Sequence, residues 1–347
     1  MPTASDITLA AKVQFLGGPQ AYPHAPATVE RRETHMSWVF LAGDRVYKLK
    51  KPVRFPYLDF STLAQREAAC RAELRLNRRL APDVYLDVVP LVGSGESLSL
   101  GEDGEPVDWL VVMRRLDERR MLDHAIAEHR VETWELDRLV AALTRFYRHV
   151  RPVYFSPSVR LADWKASLAY NRRVLLDPRL SMPAGLVGRI DAVQRMFLAR
   201  RAHLLAHRVR ERRMVDGHGD LRPEHICLGD PVRIIDCIEF NARLRAVDPF
   251  DEIAYLSVEC ERLGAAWVGS YIERRMKRTL QDGPADELFL FYRCHRATLR
   301  ARLAIAHLLE PNPRTPDKWP RHARAYLDIA AADAVKLQRR LRRRGDR

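Results

Sequence analysis

The sequence predicts an α+β protein with a small β-rich lobe and a larger, mainly helical lobe. Short runs rich in β-branched and aromatic residues dominate before about residue 115, and long helical patterns dominate after it. The helical part is interrupted at 214–247, where two short apolar runs flank a Gly-Asp-Pro turn. These observations indicate two lobes, the second of which contains a short β insertion.

The first lobe is predicted from strand, turn and capping signals. Its expected elements are, in order, strands at 37–41 and 45–49, a helix over about 62–80, and strands at 84–89 and 109–113. Gly43 suits the turn of a β-hairpin between the first two strands, and Ser61 or Thr62 is placed to cap the helix. The segment GSGESLSLGEDGEP, which separates the last two strands, is rich in turn residues.

The second lobe is predicted from helical periodicity. Its expected helices cover about 120–149, 161–176, 185–212, 250–263, 264–280, 284–309 and 319–344. The resulting domain organisation is an N-terminal extension over 1–30, the β-rich lobe over 31–113 and the helical lobe over 114–347.

Composition narrows the class of protein. No apolar run approaches the roughly 20 residues that cross a bilayer, and the N-terminus does not resemble a signal peptide. The 5 cysteines are scattered and form no C-x-x-C pair, so reduced core thiols and a cytoplasmic location are expected. The net charge of +14 is spread over helical segments without a zinc-finger or RNP-like pattern, which does not favour a nucleic-acid partner.

The chemistry is concentrated around the β insertion. Asp220 and His225 come just before the apolar run 226–228, and Asp236 follows the run 232–235. Because a hairpin returns the chain to its starting edge, the three side chains are expected at one end of it. Phosphoryl transfer needs one carboxylate that orients or deprotonates a hydroxyl and another that holds Mg²⁺ on the phosphates, and these residues could supply both. A turn whose polar side chains satisfy local backbone groups is the structural alternative.

Three motifs carry a family resemblance. They are H-G-D-L-x-x-x-H-I from residue 218, I-I-D-x-x-E-F-N from residue 234 and D-P-F-D-E-I-A-Y-L from residue 248. Together they resemble the aminoglycoside phosphotransferase-like branch of the protein-kinase fold over about 33–260. T-H-x-S-W-V-F and V-Y-K-L-K-K-P, nearer the N-terminus, resemble an uncharacterised bacterial subgroup. The resemblance implies a bilobal kinase-like fold, in which 31–113 binds the nucleotide.

The same resemblance implies an activity and its residues. The expected reaction moves the γ-phosphoryl group of ATP to a hydroxyl of a small molecule with Mg²⁺ or Mn²⁺. Asp220 would position or deprotonate the acceptor hydroxyl, His218 would order the catalytic loop, and Asp236 would hold the metal. Asp251 would be the structural aspartate that braces the loop from a helix start. ATP and GTP stay open as donors.

His225 departs from the family pattern, which has asparagine at this position. Mg²⁺ prefers oxygen ligands, whereas imidazole nitrogen suits softer metals. His225 is therefore expected to contact phosphate or carboxylate, to bind Mn²⁺, or to take no part in catalysis. Glu239 would supply the missing oxygen ligand or serve as a structural charge. This departure also supports an alternative function as a pseudokinase or nucleotide-binding scaffold without turnover.

Nucleotide binding is expected to require a lysine that contacts the phosphates. Strand alternation places Lys48 and Lys50 on one face. By the resemblance, Lys48 is the better match to the lysine that contacts the α- and β-phosphates, with Lys50 as the alternative. Glu73 is expected to pair with this lysine, because Glu67 lies about 120° away around the helix.

The sequence signals are weaker for the loop that would cover the nucleotide phosphates and for the strand that would contact adenine. No G-x-G-x-x-G loop precedes the hairpin. The Ser37 hydroxyl and nearby amides are expected to contact phosphate, and the strand around Met113 resembles the hinge that pairs with adenine.

The charge of the chain bears on the acceptor. A strongly basic protein suits a polycationic acceptor poorly unless the cleft itself is acidic. The residues expected to be exposed near the cleft and to supply such acidity are Glu239, Glu252, Glu259 and Glu261.

Overall fold

The chain forms two compact units in the computed structural model, which describes residues 7–94, 97–101, 103–310, 313 and 315–343. The first unit comprises the described residues of Met1–Met121 and His225–Leu244, and the second those of Leu122–Glu224 and Arg245–Arg347. The predicted α+β class is confirmed, because the first unit is rich in strands and the second is mainly helical.

Both units contain strands and helices. The strands are β1 Val29–Glu33, β2 Ser37–Ala42, β3 Arg45–Lys50, β4 Arg54–Phe55, β5 Leu58–Asp59, β6 Tyr85–Ser94, β7 Ser97–Leu100, β8 Glu105–Arg114, β9 Val215–Asp216, β10 Ile226–Cys227, β11 Arg233–Ile234 and β12 Ala246–Val247. The helices are α1 Leu9–Leu16, α2 Leu63–Asn77, α3 Leu122–Ala127, α4 Thr133–His149, α5 Pro157–Leu175, α6 Ala184–Arg210, α7 Ala242–Arg245, α8 Pro249–Arg262, α9 Ala266–Leu280, α10 Asp286–Ala306 and α11 Lys318–Arg343.

An antiparallel sheet in the order β1-β2-β3-β8-β6-β7 organises the first unit. The predicted hairpin is present as β2 and β3, with Gly43 at a left-handed φ of 65° in its turn. The turn-rich segment before β8 differs from the sequence prediction, because it contains the strand β7, which pairs with β6. Alternating Ser and Leu residues let β7 bury one face against the sheet, a signal that the surrounding glycines obscured.

The two faces of β3 have different environments. Tyr47 and Leu49 are buried in an apolar core on one face. Lys48 and Lys50 lie on the other face, where both contact the same residue of α2. Thr62 caps α2 in a capping box with Gln65, as the sequence predicted.

A buried ion network fixes the start of α2. Asp108 of β8 accepts hydrogen bonds from Lys12 at 2.8 Å and from Arg66 at 2.7 Å. Lys12 belongs to α1, so part of the predicted N-terminal extension contributes to the interior of the first unit. Each of these charges is buried with a partner, as buried charges require.

The helical unit differs from the sequence prediction at its beginning. The single helix expected over 120–149 is two helices, α3 and α4. The chain leaves the helical conformation at His129, which has a left-handed φ of 53°, and Glu132 then starts α4 with a capping box.

The β insertion is present as the hairpin β10–β11, and this hairpin belongs to the first unit.

The cysteine side chains lie in the interior of the protein. The thiols of Cys70, Cys227, Cys237, Cys260 and Cys294 are free and buried. Burial raises the pKa of Cys70 and of Cys294 to about 12.

Among the described residues, no helix combines the length and the apolar character needed to cross a membrane.

Helix α8 is held by buried ion pairs at its start. Arg296 of α10 binds Asp251 through two hydrogen bonds of 2.7 Å, one to each carboxylate oxygen. Arg208 of α6 binds Asp248 in the same two-pronged way, at 2.6 and 2.9 Å. Such pairs fix geometry because the arginine fork matches a carboxylate.

We expect Asp251→Ala to lower the free energy of unfolding by about 3–5 kcal/mol, because the Arg296 cation would stay buried without its carboxylate. Urea unfolding measures this loss. The double variant Asp251→Leu with Arg296→Met should recover most of it, since both buried charges are removed together. A loss below about 1 kcal/mol for Asp251→Ala would contradict the assigned role of the pair.

Candidate functional site

A buried carboxylate in the first unit binds two lysines. Glu73 of α2 is buried, with a side chain 1% exposed. Lys48 donates to its Oε1 at 2.9 Å and Lys50 donates to its Oε2 at 2.6 Å. Glu67, the alternative considered from the sequence, is more exposed and pairs with Arg71 on the same helix. The structure thus joins Lys48 to Glu73, as expected, and adds Lys50.

The charges of this cluster stabilise one another. Burial lowers the pKa of Lys48, but Asp236 and Glu73 outweigh burial and hold this pKa well above its ordinary value. Burial raises the pKa of Glu73, but Lys48 and Lys50 outweigh burial and hold it below the ordinary 4.5. The lysines are therefore cationic and the glutamate anionic at neutral pH.

Asp236 is the accessible end of the cluster. Its Oδ1 accepts a hydrogen bond from Lys48 at 2.8 Å, and its Oδ2 lies 3.4 Å from Nε2 of His225. The Asp236 side chain is 44% exposed, in contrast to the buried Glu73. His225 is buried and faces this carboxylate, so the residue that departs from the family pattern lies at the predicted metal ligand.

The backbone of Asp236 is held in a specific conformation. Its φ is 62°, in the left-handed region that aspartate tolerates better than most residues. Its amide donates to the hydroxyl oxygen of the buried Tyr85 at 3.0 Å, and the next amide, that of Cys237, donates to Asn77 at 2.8 Å. Residues of β6 and α2 thus aim Asp236 at Lys48.

Glu239 is a partner of Lys50. The Lys50 ammonium binds its Oε1, and their side chains are 1% and 8% exposed. Burial raises the pKa of Glu239, and Lys50 acts in the opposite direction. The sequence expectation of an exposed acidic group is wrong here, because a buried lysine occupies this carboxylate.

The donor set of the first unit is compatible with Mg²⁺. Mg²⁺ is commonly held by one or two carboxylates, with phosphates and water completing its shell. The half-exposed Asp236 offers such a carboxylate, whereas the Lys50-bound Glu239 does not. His225 offers nitrogen, which suits Mn²⁺ better than Mg²⁺.

The other predicted nucleotide contacts lie on the same sheet. Ser37 is buried at the start of β2, opposite Lys50 in the register. Its amide donates to the Thr34 hydroxyl at 3.0 Å. Met113 lies near the end of β8, opposite Val46. Their roles stay predictions.

Asp220 lies in the second unit with two polar partners. Tyr255 of α8 donates its hydroxyl to Oδ1 at 2.9 Å, and Nε of Arg222 donates to Oδ2 at 3.0 Å. The amide of Asp220 donates to Nδ1 of His218 at 3.3 Å, and His218 itself is buried. The imidazole therefore contacts the backbone of the loop that it is predicted to order.

Glu252 holds the loop from α8. Its carboxylate accepts hydrogen bonds from the amides of His218 and Gly219 and from the hydroxyl of Tyr147. A Cβ at Gly217 would lie 2.6 Å from Oε2 of Glu252, and Gly219 has a left-handed φ of 88°. The glycines on either side of His218 thus permit this bracing contact.

The brace expected of Asp251 is therefore made by its neighbour. Asp251 binds Arg296, while Glu252 binds the loop and Tyr255 binds Asp220. Sequence reasoning missed Glu252 and Tyr255 in these roles. The available signal was their i, i+3 spacing, which places both on one face of α8.

Sequence comparison relates the chain to uncharacterised mycobacterial proteins. No family model matches the sequence. Uncharacterised proteins of Mycobacterium tuberculosis and Mycobacterium bovis are each 33% identical to it over 301 residues, covering 85% of this chain. The matched region spans only 58% of the length of those relatives.

Solved structures show the fold. A choline/ethanolamine kinase family protein from Mesorhizobium loti matches 93% of this chain, with 99% of its own length covered, at a TM-score of 0.53 and 18% identity. An aminoglycoside phosphotransferase APH(4)-Ia matches 95%, with 99% of its own length covered, at a TM-score of 0.54 and 12% identity. The chain has the kinase-like fold of these phosphotransferases. The resemblance predicted from its motifs is thereby confirmed at the level of fold.

We expect Glu73→Gln to destabilise the protein at neutral pH by about 3–5 kcal/mol, because two buried lysines would lose a carboxylate. The lowered pKa of Glu73 means that the wild-type advantage exists above pH 4.5 and is lost as pH falls through the folded-state value. Urea unfolding of both proteins between pH 7 and pH 3 should show this difference shrinking. Glu67→Gln on the same helix is the control, with an expected change within about 0.5 kcal/mol. A difference that is constant over this range would refute the ionic role.

Proposed function

We propose that the chain is a phosphotransferase that moves the γ-phosphoryl group of ATP to a hydroxyl of a small molecule. The observation that carries the proposal is the linkage of Lys48 to both Glu73 and Asp236. A strand lysine, a helix glutamate and an aspartate after a hairpin are the parts that bind nucleotide phosphates in kinase-like enzymes. The fold of the chain is the one in which this set of parts occurs.

In the proposed role, Lys48 binds the donor phosphates. Its ammonium is held on one side by the buried Glu73, so the cation is oriented before the nucleotide arrives. Its other contact, with the half-exposed Asp236, is the one that phosphate oxygens would replace. Asp236 would hold Mg²⁺, which when bound neutralises the charge that develops on the phosphates. Ser37 and Met113 are proposed to contact phosphate and adenine.

Asp220 is proposed to act on the acceptor. Tyr255 and Arg222 fix its carboxylate, which then orients the acceptor hydroxyl and takes its proton. The hydroxyl oxygen forms a bond to the γ-phosphorus as the bond between that phosphorus and the bridging oxygen breaks, which releases ADP. His218 and Glu252 contribute by holding the loop and do not touch the reacting atoms in this mechanism.

A solved relative of the fold supports the pairing of substrates. A complex of APH(4)-Ia contains AMP-PNP and hygromycin B, and it matches 93% of this chain at a TM-score of 0.52. AMP-PNP is an analogue of ATP, and hygromycin B is a hydroxylated small molecule. A nucleotide and a hydroxylated acceptor are accordingly proposed as partners of this chain.

We expect Asp220→Asn to lower turnover by about 10²–10⁴-fold, because an amide cannot take the acceptor proton. Phosphoryl transfer from labelled ATP to a panel of hydroxylated metabolites measures turnover, and calorimetry with AMP-PNP and Mg²⁺ should show nucleotide affinity within about twofold of wild type. Asp328→Asn, at an exposed position of α11, is the matched control and should keep full activity. Unchanged turnover in Asp220→Asn, or a wild type that binds no nucleotide, would sink the proposal.

We expect Lys48→Met to impair nucleotide binding and Lys50→Met to impair stability. Lys48→Met should weaken AMP-PNP binding by at least about tenfold, because the phosphates lose a cation. Lys50→Met should instead lower the free energy of unfolding by about 3–5 kcal/mol, since Lys50 is buried between Glu73 and Glu239. Calorimetry and urea unfolding distinguish the two. The opposite pattern would assign the phosphate contact to Lys50.

A further inference from the structure

His225 and Asp236 lie side by side at the open end of the β10–β11 hairpin. The register of the hairpin pairs Ile226 with Ile234. One step beyond this pair, the amide of Ile235 donates to the backbone oxygen of His225 at 2.9 Å. Asp236 is the next residue, so the backbone of the hairpin sets the spacing between the imidazole and the carboxylate.

Separate contacts hold Asp236 in place. Its amide donates to the hydroxyl oxygen of Tyr85 at 3.0 Å, and its Oδ1 accepts a hydrogen bond from Lys48 at 2.8 Å. His225 is held by the hairpin and is only 6% exposed. Two side chains that are oriented independently of each other form a site whose geometry exists before a ligand binds.

The distance between the two side chains is long for a hydrogen bond and suits a shared ion. Nε2 of His225 lies 3.4 Å from Oδ2 of Asp236, whereas nitrogen–oxygen hydrogen bonds measure roughly 2.7–3.2 Å. Two donor atoms at about 2.1 Å from one ion are about 3.0 Å apart at a right angle and about 3.4 Å apart at the tetrahedral angle. One ion can therefore contact both atoms without a rearrangement of the hairpin.

The two oxygens of Asp236 face different partners. Oδ1 binds Lys48, and Oδ2 is the oxygen close to His225. The Asp236 side chain is 44% exposed and that of His225 is 8% exposed. A cation from solvent would therefore approach through the carboxylate and meet the buried imidazole behind it.

A nitrogen donor changes which cation the pair prefers. Mg²⁺ strongly favours oxygen ligands and gives up its water reluctantly. Imidazole nitrogen binds first-row transition-metal ions more tightly, and the affinity of such sites rises from Mn²⁺ to Co²⁺. One oxygen and one nitrogen donor therefore disfavour Mg²⁺ relative to these ions.

We propose that His225 is a ligand of the metal ion that Asp236 holds, and that its nitrogen makes the site select Mn²⁺ or Co²⁺ over Mg²⁺. The inference rests on the proposed phosphotransferase function and specifies its metal. Nε2 supplies the lone pair, so Nδ1 carries the proton of the neutral imidazole. Mg²⁺ still binds through Asp236, but more weakly. Histidine at this position thus changes the metal and does not abolish the activity.

Spectroscopy of bound Mn²⁺ tests the nitrogen ligand without a measurement of turnover. Mn²⁺ and ADP are added to the protein, and electron spin-echo envelope modulation detects nitrogen nuclei bonded to the ion. ADP is chosen because its phosphate chain contains no nitrogen, unlike that of AMP-PNP. We expect a coupling to histidine nitrogen in wild type, which changes when the protein is made with histidine labelled with the heavy nitrogen isotope. This measurement needs no variant.

The variant His225→Asn identifies which histidine is the ligand. We expect it to lose the coupling, because the asparagine amide offers oxygen instead of imidazole nitrogen. Competition of Mg²⁺ and Co²⁺ against bound Mn²⁺, followed by the resonance of free Mn²⁺, measures selectivity. The preference for Mn²⁺ over Mg²⁺ should fall at least about tenfold in the variant, and the preference for Co²⁺ should fall further. His24→Asn is the matched control, because His24 binds the backbone oxygen of Ala42 in the same unit.

Each result has a defined meaning. Loss of the histidine coupling and of the Mn²⁺ preference in His225→Asn, with both kept in His24→Asn, supports the proposal. A wild-type complex without histidine coupling, or a coupling or preference that persists in His225→Asn, overturns it and leaves the phosphotransferase function intact.

Failure of wild type to bind ADP and AMP-PNP would instead overturn the proposed function. The same spectrum of Mn²⁺ added to nucleotide-free protein would then decide the metal site by itself: a coupling that His225→Asn removes supports the site, and its absence in wild type overturns it.

Discussion

The buried carboxylate of Glu73 is the constraint on which the first unit depends. A carboxylate that is 1% exposed is stable only with close cationic partners, and β3 supplies two of them from one face. Lys48 and Lys50 each have a second acidic partner, Asp236 and Glu239 respectively. These ion pairs join the sheet, helix α2 and the segment after the β10–β11 hairpin. Separating any pair would leave an unpaired charge in the interior.

In the second unit, the buried carboxylates of α8 and of the residue before it are also paired with cations. Asp248, Asp251 and Glu259 are buried, and each is bound by an arginine from another helix or from α8 itself. Part of the strongly basic composition is therefore interior, where it neutralises carboxylates. Buried acidic residues are rare unless paired, so the arginines of α6 and α10 are required by the aspartates and glutamates of α8.

Fold and substrate are decided by different parts of this molecule. The neighbours of known structure share the fold at low identity, and a fold of this kind accepts many substrates. The fold alone therefore does not identify the acceptor, and the proposed acceptor site depends on the residues around Asp220. Glu252 and Tyr255 hold the loop that contains Asp220, and Glu73 holds Lys48, so buried or part-buried hydrogen bonds constrain both residues.

By itself the sequence determined the elements whose signals are local. The β2–β3 hairpin follows from strand alternation around Gly43, the start of α2 from Thr62, and the faces of Lys48 and Glu73 from strand and helix periodicity. Only the tertiary structure decided that Lys50 is sealed between Glu73 and Glu239, that His225 faces Asp236, and that Glu252 instead of Asp251 holds the loop. The physical reason is that burial and ion pairing depend on partners far apart in the chain, and local spacing does not encode which of two adjacent acidic residues meets which partner.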